Sequence, residues 1–438
     1  MPSRRWKRRR FLRHTVAVGL GAMGLPNVVP SSALGRDGAV AASERIGLGF
    51  IGPGGQGIQL LGNFAPRPQV EMLAVCDVRV ERRQKALGVV ERLAARKKSG
   101  GAYQDCTPYR DFREVLARPD IDAVVLAACE HWRPIMCIMA AKAGKDIYSE
   151  KPFALTAGEA AAMVQTIRRY GRVFQHGTQR RCSSKIRTAC ELVRSGRIGE
   201  VTHAVVPMGP GPRLGFPAYT NTPAPPDPEV FDWDMWLGPA PWWPFGSLTG
   251  WEQEYCSPIW QRYRDFGLAS IGNWGSHTLD MAQWALGKDT ESPVEVIPPG
   301  DGNDALALKY ADGLTIYCPR TPGDAMDATV FGTEGQMILH GKPEIEEKYD
   351  PTPLGPDDVK LYRADDYYAN WLDCIRTRTK TICNEEVAYR GGMLCVLIAM
   401  ADRLKRPLKY DPQKREFPGD QQANRLLDTA KRPPWQVY

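Results

Sequence analysis

The amino-acid sequence predicts an α/β protein with two domains, each built around its own sheet. Three features of the 438-residue chain support this: a glycine-rich turn between a strand and a helix, alternating strands and helices up to about residue 176, and five strand-like runs between residues 294 and 339. The first two features indicate an N-terminal doubly wound parallel sheet. The third indicates a second α/β domain with a large, open, mostly antiparallel sheet. The predicted segments are 1–41, 42–176 and 177–438.

The first segment, residues 1–41, has the composition of a targeting signal. It holds eight basic residues and one acidic residue, and the whole chain has a formal charge of +7, so the remainder is near neutral. A near-neutral body lacks the positive field that nucleic-acid binding requires. The motif Arg8-Arg9-Arg10-Phe11-Leu12-Arg13 resembles a twin-arginine export signal, and the apolar stretch after it, residues 15–25, is too short to span a membrane. We therefore expect export by the twin-arginine route to the periplasm, with an uncleaved signal that acts as an anchor as the alternative.

The 11 cysteines are scattered along the chain without paired spacing. This pattern is not that of a disulfide framework or a zinc site, so we predict no metal site. Reduced thiols also fit a protein that folds in the cytoplasm before export. Apolar residues make up 43% of the chain and charged residues 24%, as in soluble globular proteins.

A glycine-rich turn, residues 52–57, follows the strand-like run 45–51 and precedes a helical pattern. Its glycines match the G-x-G-x-x-G dinucleotide fingerprint in the required strand–turn–helix setting. The first glycine permits a tight turn, the second lets the backbone approach a pyrophosphate, and the third lets the helix pack on the strand. The helix N-terminus then offers N–H donors to phosphate. The predicted cofactor-binding residues of this turn are Gly52, Gly54, Gly55, Gln56 and Gly57.

Asp77 follows the next strand-like run, residues 70–75, and lies twenty residues after Gly57. At this position of a dinucleotide-binding domain, an acidic residue binds the ribose hydroxyls. A 2′-phosphate would meet the carboxylate, so we predict NAD rather than NADP as the cofactor. Arg79 and Arg82 lie nearby in the sequence and weaken this preference.

Two other strand-like runs end in groups that can reach a ligand. Glu150-Lys151 follows one of these runs, and His131-Trp132 follows the other. Strand ends of an open parallel sheet form the ligand crevice of such folds. Lys151 is therefore a candidate catalytic residue, and Glu150, His131 and Trp132 are candidate cofactor-binding residues near the nicotinamide. A salt-bridged lysine in a surface turn and a packed His–Trp turn are the alternatives.

The segment around His277 supplies a second set of polar groups. A helix that begins at about Asn273 would place Asn273 and His277 four residues apart on one face. Asp280 lies three residues beyond His277 and could orient it. An imidazole with an ordinary pKa of about 6.5 suits proton transfer if it faces Lys151. We expect Lys151, Asn273, His277 and Arg180 to bind the substrate.

Seven of the 12 tryptophans lie between Trp233 and Trp274. Aromatic faces of this kind can stack on the C–H surface of a sugar. More often they fill a core beneath a loop or a contact between subunits, and that is the preferred interpretation for any single tryptophan here.

The glycine turn, Glu150-Lys151-Pro152 and the His277 segment together resemble the Gfo/Idh/MocA oxidoreductase family over residues 44–437. The leader and the segment 232–239 are similar to those of an exported bacterial subgroup. The resemblance implies a Rossmann domain followed by an open-sheet domain. It also implies that Lys151 is the catalytic lysine, that His277 is the active-site histidine, and that the Lys151–Pro152 peptide bond is cis.

The same resemblance implies a nicotinamide-dependent oxidoreductase that acts on a sugar or a cyclic polyol. Some relatives instead hydrolyse glycosides by transient oxidation and elimination, which leaves NAD unchanged, and this is the first alternative. A non-catalytic sugar-binding protein is the second. We expect tightly bound NAD, because NAD is made in the cytoplasm and the leader exports folded protein. We also expect no membrane span, and a homo-oligomer that forms through the C-terminal sheet.

Two residues depart from the family's pattern. Asn273 stands where an acid often precedes the histidine, and an amide cannot carry a proton, so proton transfer must fall to His277 or Lys151. Arg133 stands where the subgroup commonly has a histidine. It could favour an anionic substrate such as a uronic acid, but a structural ion pair is the preferred interpretation.

Overall fold

The computed structural model describes residues 40–96, 106–214, 224–245, 259–300, 304–339 and 354–437. The predicted twin-arginine motif lies outside the described residues. Residues 45–98 and 103–438 form one compact unit, which contains both sheets. Of the other unit, residues 1–44 and 99–102, the structure describes only the end of the first stretch, where Ala42–Glu44 form a short 3-10 helix.

Six strands form the first sheet, and every neighbouring pair is parallel. They are Ile46–Ile51 (β1), Val70–Cys76 (β2), Thr107–Tyr109 (β3), Ala123–Leu126 (β4), Asp146–Ser149 (β5) and Phe174–His176 (β6). Their spatial order is β3-β2-β1-β4-β5-β6, so the order reverses between β1 and β4. This is the doubly wound arrangement that the alternating sequence pattern predicted, with its switch point next to the glycine turn.

Five helices connect these strands. They are Gly55–Phe64 (α1), Val80–Arg96 (α2), Phe112–Ala117 (α3), Arg133–Lys142 (α4) and Ala157–Arg169 (α5). The start of α5 is a capping box: the Thr156 hydroxyl accepts the N–H of Glu159, and the Glu159 carboxylate accepts the N–H of Thr156. The Lys151–Pro152 peptide bond, just before this cap, is cis as expected.

Seven strands form the second sheet. They are Val201–Val205 (β7), Glu295–Ile297 (β8), Leu306–Lys309 (β9), Thr315–Cys318 (β10), Ala328–Gly332 (β11), Gln336–Leu339 (β12) and Leu408–Lys409 (β13). Their order is β12-β11-β7-β10-β9-β8-β13. Only the β7–β10 pair among these is parallel, so the prediction of a mostly antiparallel second sheet is confirmed.

The helices that follow β6 complete the unit. They are Ser184–Arg194 (α6), Trp233–Leu237 (α7), Ala269–Asn273 (α8), Gly275–Ala285 (α9), Tyr367–Thr377 (α10), Glu385–Leu404 (α11) and Gln421–Asn424 (α12). Helices α6, α9 and α11 contact strands of the second sheet, and α11 also contacts α5 and β6. The two sheets therefore share one apolar core. None of the described helices is long and apolar enough to cross a membrane.

Four of the six tryptophans that the structure describes between residues 233 and 274 are buried in one apolar cluster. The rings of Trp233 and Trp236 are stacked with centroids 4.7 Å apart, and Trp243 and Trp260 are buried in the same cluster. This confirms the preferred interpretation of a core beneath loops. Trp274 lies outside this cluster and lines a cavity, which Trp236 and Trp260 also reach.

The helix predicted from about Asn273 is present as α9, but Asn273 and His277 do not share it. Helix α8 ends at Asn273, and α9 begins two residues later at Gly275. Both glycines near this point are closely packed: a Cβ at Gly272 would lie 2.8 Å from the side chain of Leu268, and one at Gly275 would lie 2.4 Å from that of Met208. The predicted strand-like runs 45–51 and 70–75 agree with β1 and β2 to within one residue, whereas the short elements β3, α7, α12 and β13 had no pattern that identified them.

Candidate functional site

The ends of the parallel strands open onto a cavity of about 880 Å³ that also reaches α8 and α9. The crevice at the switch point of a doubly wound sheet is where such folds bind ligands. One part of the wall, which we call the glycine end, consists of residues 52–56 and Asp77. Another part, which we call the lysine end, consists of Lys151, Arg180, Asn273, Trp274 and His277.

The glycine turn has the shape that a dinucleotide requires. Gly52 has φ +80°, and a Cβ there would lie 2.4 Å from the backbone nitrogen of Ala128. A Cβ at Gly57 would lie 2.6 Å from the carbonyl oxygen of Gly52, so this glycine lets α1 approach β1. At Gly54 the nearest atom would be 3.4 Å away, which leaves its backbone open to the cavity. The N-terminus of α1 at Gly55 lines the same space, and its N–H groups suit a phosphate.

Asp77 lies at the glycine end directly after β2. Its Oδ1 accepts the N–H of Arg79 at 3.0 Å, which holds the carboxylate in place. Burial raises the pKa of Asp77, while the positive charges of Arg82 and Arg79 lower it. Both arginines also line the cavity, so this part of the wall carries charges of both signs.

Glu150 and Lys151 follow β5 and have different partners. Oε1 of Glu150 accepts hydrogen bonds from the side-chain amides of Gln56 and Gln179, each at 3.1 Å. This carboxylate therefore connects the glycine turn to the chain after β6. Nζ of Lys151 donates to Oδ1 of Asn273 at 2.5 Å. The strand end of the first sheet thus contacts the end of α8 through this hydrogen bond.

His277 lies in the first turn of α9, and its side chain lines the same cavity as that of Asn273. Nδ1 of His277 is buried and has no hydrogen-bond partner among the described residues. Burial lowers the pKa of His277 well below its usual value, and the positive charges of Lys151 and Arg180 lower it further. The imidazole is therefore neutral at neutral pH.

The prediction that Asp280 orients His277 is wrong. Both carboxylate oxygens of Asp280 accept hydrogen bonds from Arg181, each at 2.8 Å. Arg181 also donates to Asp289 at 2.9 and 2.7 Å. Arg181 is 1% exposed and Asp280 is 2% exposed. This buried ion network joins the chain after β6 to α9, and so fixes the neighbouring Arg180 relative to His277.

Arg180 lies in the short 3-10 helix Gln179–Cys182 and is partly open to the cavity. Its guanidinium carbon lies 5.6 Å from the centroid of the Trp274 ring. Its Nη1 donates a long hydrogen bond of 3.5 Å to the carbonyl oxygen of Met326. Within the described part of the chain Arg180 forms no ion pair.

His131 and Trp132 occupy different environments. Trp132 lines the cavity, and its indole N–H donates to the carbonyl oxygens of Met235 and Trp236 at 2.9 and 3.0 Å. The structure does not bring His131 to this wall: it is 3% exposed, and its Nε2 lies 3.0 Å from the carbonyl oxygen of Trp236. Burial lowers the pKa of His131 to about 4, so it packs as a neutral ring.

Arg133 is structural, but not through an ion pair. Its Nη1 donates to the carbonyl oxygen of Ala128 at 3.1 Å, and its Nη2 donates to that of Pro152 at 2.9 Å. It forms no salt bridge with any described residue. Its guanidinium therefore connects the chain after β4 to the chain after β5.

Glu130 and Gln179 were not selected from the sequence. Glu130 is 1% exposed, and its Oε2 accepts the N–H of Leu268 at 3.0 Å, just before α8. Burial raises the pKa of Glu130 to about 7, against the lowering effect of Arg133. The contact of Glu130 with Leu268 and that of Gln179 with Glu150 both depend on tertiary packing. Gln179 had one signal in the sequence, its place after a strand of the first sheet.

The described residues contain no group of three His, Cys, Asp or Glu side chains suited to a metal ion.

Comparison with known proteins gives matches to sequences and to solved structures. The alignments to a glycosyl hydrolase family 109 protein of Solibacter usitatus and to an alpha-N-acetylgalactosaminidase of Shewanella oneidensis are each 28% identical. Each alignment covers 45% of this chain and 44% of the relative, so the chain matches less than half the length of these relatives.

Two solved structures share the architecture. The WlbA dehydrogenase of Bordetella pertussis, in complex with NADH and UDP-GlcNAcA, has 16% identity and a TM-score of 0.57 over 84% of this chain and 99% of that chain. A levoglucosan dehydrogenase, in complex with NADH and levoglucosan, has 16% identity and a TM-score of 0.55 over 83% and 99% of the two chains. At these identities the similarity shows the fold alone.

Two family models match consecutive parts of the chain. Residues 46–178 match the oxidoreductase family's NAD-binding Rossmann fold. Residues 184–437 match its C-terminal alpha/beta domain. Because the two matches together span most of the sequence, the chain belongs to the Gfo/Idh/MocA oxidoreductase family.

Proposed function

We propose that this protein is a nicotinamide-dependent oxidoreductase that acts on a sugar or a cyclic polyol. The observation that carries the proposal is a single cavity lined both by the glycine turn and by Lys151, Asn273 and His277. The glycine end, with Asp77, would hold the cofactor, and the lysine end would hold the substrate. When bound, the nicotinamide supplies hydride transfer to or from carbon.

The residues of the lysine end provide an acceptor for the proton that leaves the substrate hydroxyl. Oxidation of a C–OH group to C=O removes a hydride from carbon and a proton from oxygen. Asn273 cannot accept a proton, and the lowered pKa of His277 disfavours its protonated form. We therefore assign proton acceptance to the amine of Lys151, whose Nζ is held by Asn273. Neutral His277, whose side chain lines the cavity, orients the hydroxyl by a hydrogen bond.

A hydrolase that uses the same residues is the second candidate. The observation in its favour is the match to curated relatives named as a glycosyl hydrolase and an alpha-N-acetylgalactosaminidase. In this cycle the sugar is oxidised, loses its glycosidic substituent by elimination, and is reduced again, so the nicotinamide ends unchanged. A non-catalytic sugar-binding protein is a third candidate, motivated by Asn273 in place of an acid.

We propose NAD rather than NADP as the cofactor, on the basis of Asp77 at the end of β2. The charges of Arg79 and Arg82 oppose this choice. Titration of both nucleotides should give tighter binding of NAD, and Asp77→Ser should narrow the difference. Tighter binding of NADP by the unmodified protein would reverse the assignment.

We also propose that the protein is exported, that it retains NAD tightly, and that it forms an oligomer. The proposed domain limits lie near residues 41 and 176. The second sheet supports the oligomer, because Tyr317 is 36% exposed on β10 and His203 stacks on Phe331 at 4.6 Å on the same sheet. Light scattering and cell fractionation measure the oligomer and its compartment. A monomeric cytoplasmic protein would contradict both expectations.

The direct test begins with the purified full chain. Denaturation should release about one NAD or NADH per chain, whereas an empty protein that binds NAD only in the millimolar range would contradict tight retention. Sugars, polyols and aryl glycosides are then offered to the NAD-loaded protein. Net formation of NADH supports the oxidoreductase, release of the aryl group without net NADH supports the hydrolase, and sugar binding without either supports the non-catalytic protein.

A further inference from the structure

We infer that the substrate is a carbohydrate that carries a carboxylate, such as a uronic acid, and that Arg180 recognises this carboxylate. The inference rests on the proposed function, because it names the substrate class of the same site. It also moves the recognition of an anion from Arg133, which donates to two backbone carbonyl oxygens, to Arg180.

The charge of the lysine end favours an anion. Lys151 and Arg180 both line it, and Glu150, a carboxylate of the same cavity, accepts hydrogen bonds from two glutamine side chains. The amine of Lys151 donates to the amide oxygen of Asn273. Two cationic side chains in a partly enclosed cavity create a positive potential that attracts an anionic ligand.

Three arginines near this wall make different contacts, and the difference singles out Arg180. Arg181 donates four hydrogen bonds to two aspartates. Arg133 donates to two backbone carbonyl oxygens. Arg180 has only the 3.5 Å contact with Met326 among the described residues, and a guanidinium has five N–H donors. Most of its donors therefore remain for a ligand.

The position of Arg180 is fixed before any ligand binds. The buried network of Arg181, Asp280 and Asp289 holds the next residue of the chain, and the ring of Trp274 lies beneath the guanidinium. A planar carboxylate can accept two parallel N–H groups from such a fork. The face of Trp274 beside it offers an apolar surface to the C–H groups of a sugar ring. The geometry is that of a site for a carboxylated sugar.

The test compares paired sugars in the NAD-loaded full chain. Turnover of glucose and galactose is measured against glucuronate and galacturonate, together with glucose 6-phosphate, by formation of NADH. The unmodified protein should prefer the uronates. Arg180→Gln should reduce kcat/KM for uronates by about 10- to 100-fold, the range for a lost hydrogen bond to a charged group, and leave neutral sugars within about threefold. Arg363→Gln, a surface arginine paired with Asp365, is the matched control and should change neither.

Three outcomes would overturn the inference: no preference for uronates, an equal loss for neutral and acidic sugars in Arg180→Gln, or an Arg180-dependent preference for the phosphate. Calorimetric binding of uronate separates this inference from the proposed function. If Arg180-dependent binding occurs without turnover of any sugar, the oxidoreductase proposal fails and the inference stands. If neutral sugars are oxidised and uronates bind no better, the inference fails and the oxidoreductase stands.

Discussion

The glycine end and the lysine end of the cavity are built in different ways. The glycine end depends mainly on one continuous stretch, β1, the turn and α1, and on backbone atoms that approach because glycines lack a Cβ. The lysine end is assembled from side chains that follow β5 and β6 and that lie on α8 and α9. Local sequence therefore determines the first end, and tertiary packing determines the second. Substitutions at the two ends should therefore have different effects.

The largest loss of stability is expected from breaking the ion network of Arg181, Asp280 and Asp289, which supports the lysine end. Arg181→Met leaves the carboxylates of Asp280 and Asp289 without their partner, and Asp280 is almost fully buried. Removing one member of a buried ion pair costs about 3–5 kcal/mol. The free energy of unfolding in denaturant should fall by that amount. Arg363→Met, which removes an exposed pair, should cost about 0–1 kcal/mol, and a similar small loss for Arg181→Met would contradict the role of the network.

The next effect concerns Glu130, which is buried and accepts the N–H of Leu268 just before α8. Its folded pKa of about 7 lies above its ordinary value of 4.5, so between these values the folded protein binds more protons than the unfolded chain. Its contribution to stability is therefore present below about pH 4.5 and is lost as pH rises to about 7. At about 1.4 kcal/mol per pKa unit, this amounts to about 3 kcal/mol.

The measurement is the pH dependence of the unfolding free energy in wild type and Glu130→Gln. The difference between the two curves should slope between about pH 4.5 and 7 and be flat above 7. Parallel curves across this range would show that Glu130 does not titrate as its burial requires.

The glycine end offers a matched pair of glycines. Gly52→Ala forces a side chain into φ +80° and against the backbone of Ala128, which costs about 1–2 kcal/mol from conformation alone. Gly62 lies on the exposed side of α1, and a Cβ added there would have no other atom within 4 Å, so Gly62→Ala should be neutral or stabilise by about 0.5–1 kcal/mol. Calorimetric titration of NAD should show weaker binding for Gly52→Ala alone. Equal binding by both variants would mean that the turn does not hold the cofactor.

The smallest effect is expected from Asn273→Asp. A carboxylate 2.5 Å from Nζ of Lys151 would favour the protonated amine. If the neutral amine accepts the proton, the acidic limb of kcat, which rises as the amine loses its proton, should move to higher pH. Asn273→Ala is the control that removes the amide without adding charge. An unchanged pH profile in the aspartate variant would place proton transfer elsewhere.

The difference between the glycine end and the lysine end also explains which features the sequence could predict. The fingerprint, Asp77 and the strand ends follow from short patterns, because glycine turns and apolar runs act locally. Two relationships failed: Asn273 lies at the end of α8 rather than on one helix with His277, and Asp280 pairs with Arg181, which is distant in sequence. The short-range pattern also gave no sign that Glu130 would contact the backbone of Leu268. These contacts exist only once both sheets have packed around α11.

The most direct test of the lysine end as the catalytic site is a single turnover of the NAD-loaded protein with its best sugar. The signal of reduced nicotinamide is recorded over time. Lys151→Ala should slow this step by about 10²-fold or more, the usual scale for a positioned acid–base group. Binding of NAD should stay within about threefold, because the glycine end is intact. Lys151→Arg should not restore the rate, since a guanidinium stays protonated. A wild-type rate of nicotinamide reduction in Lys151→Ala would contradict the assignment of the lysine end as the catalytic site.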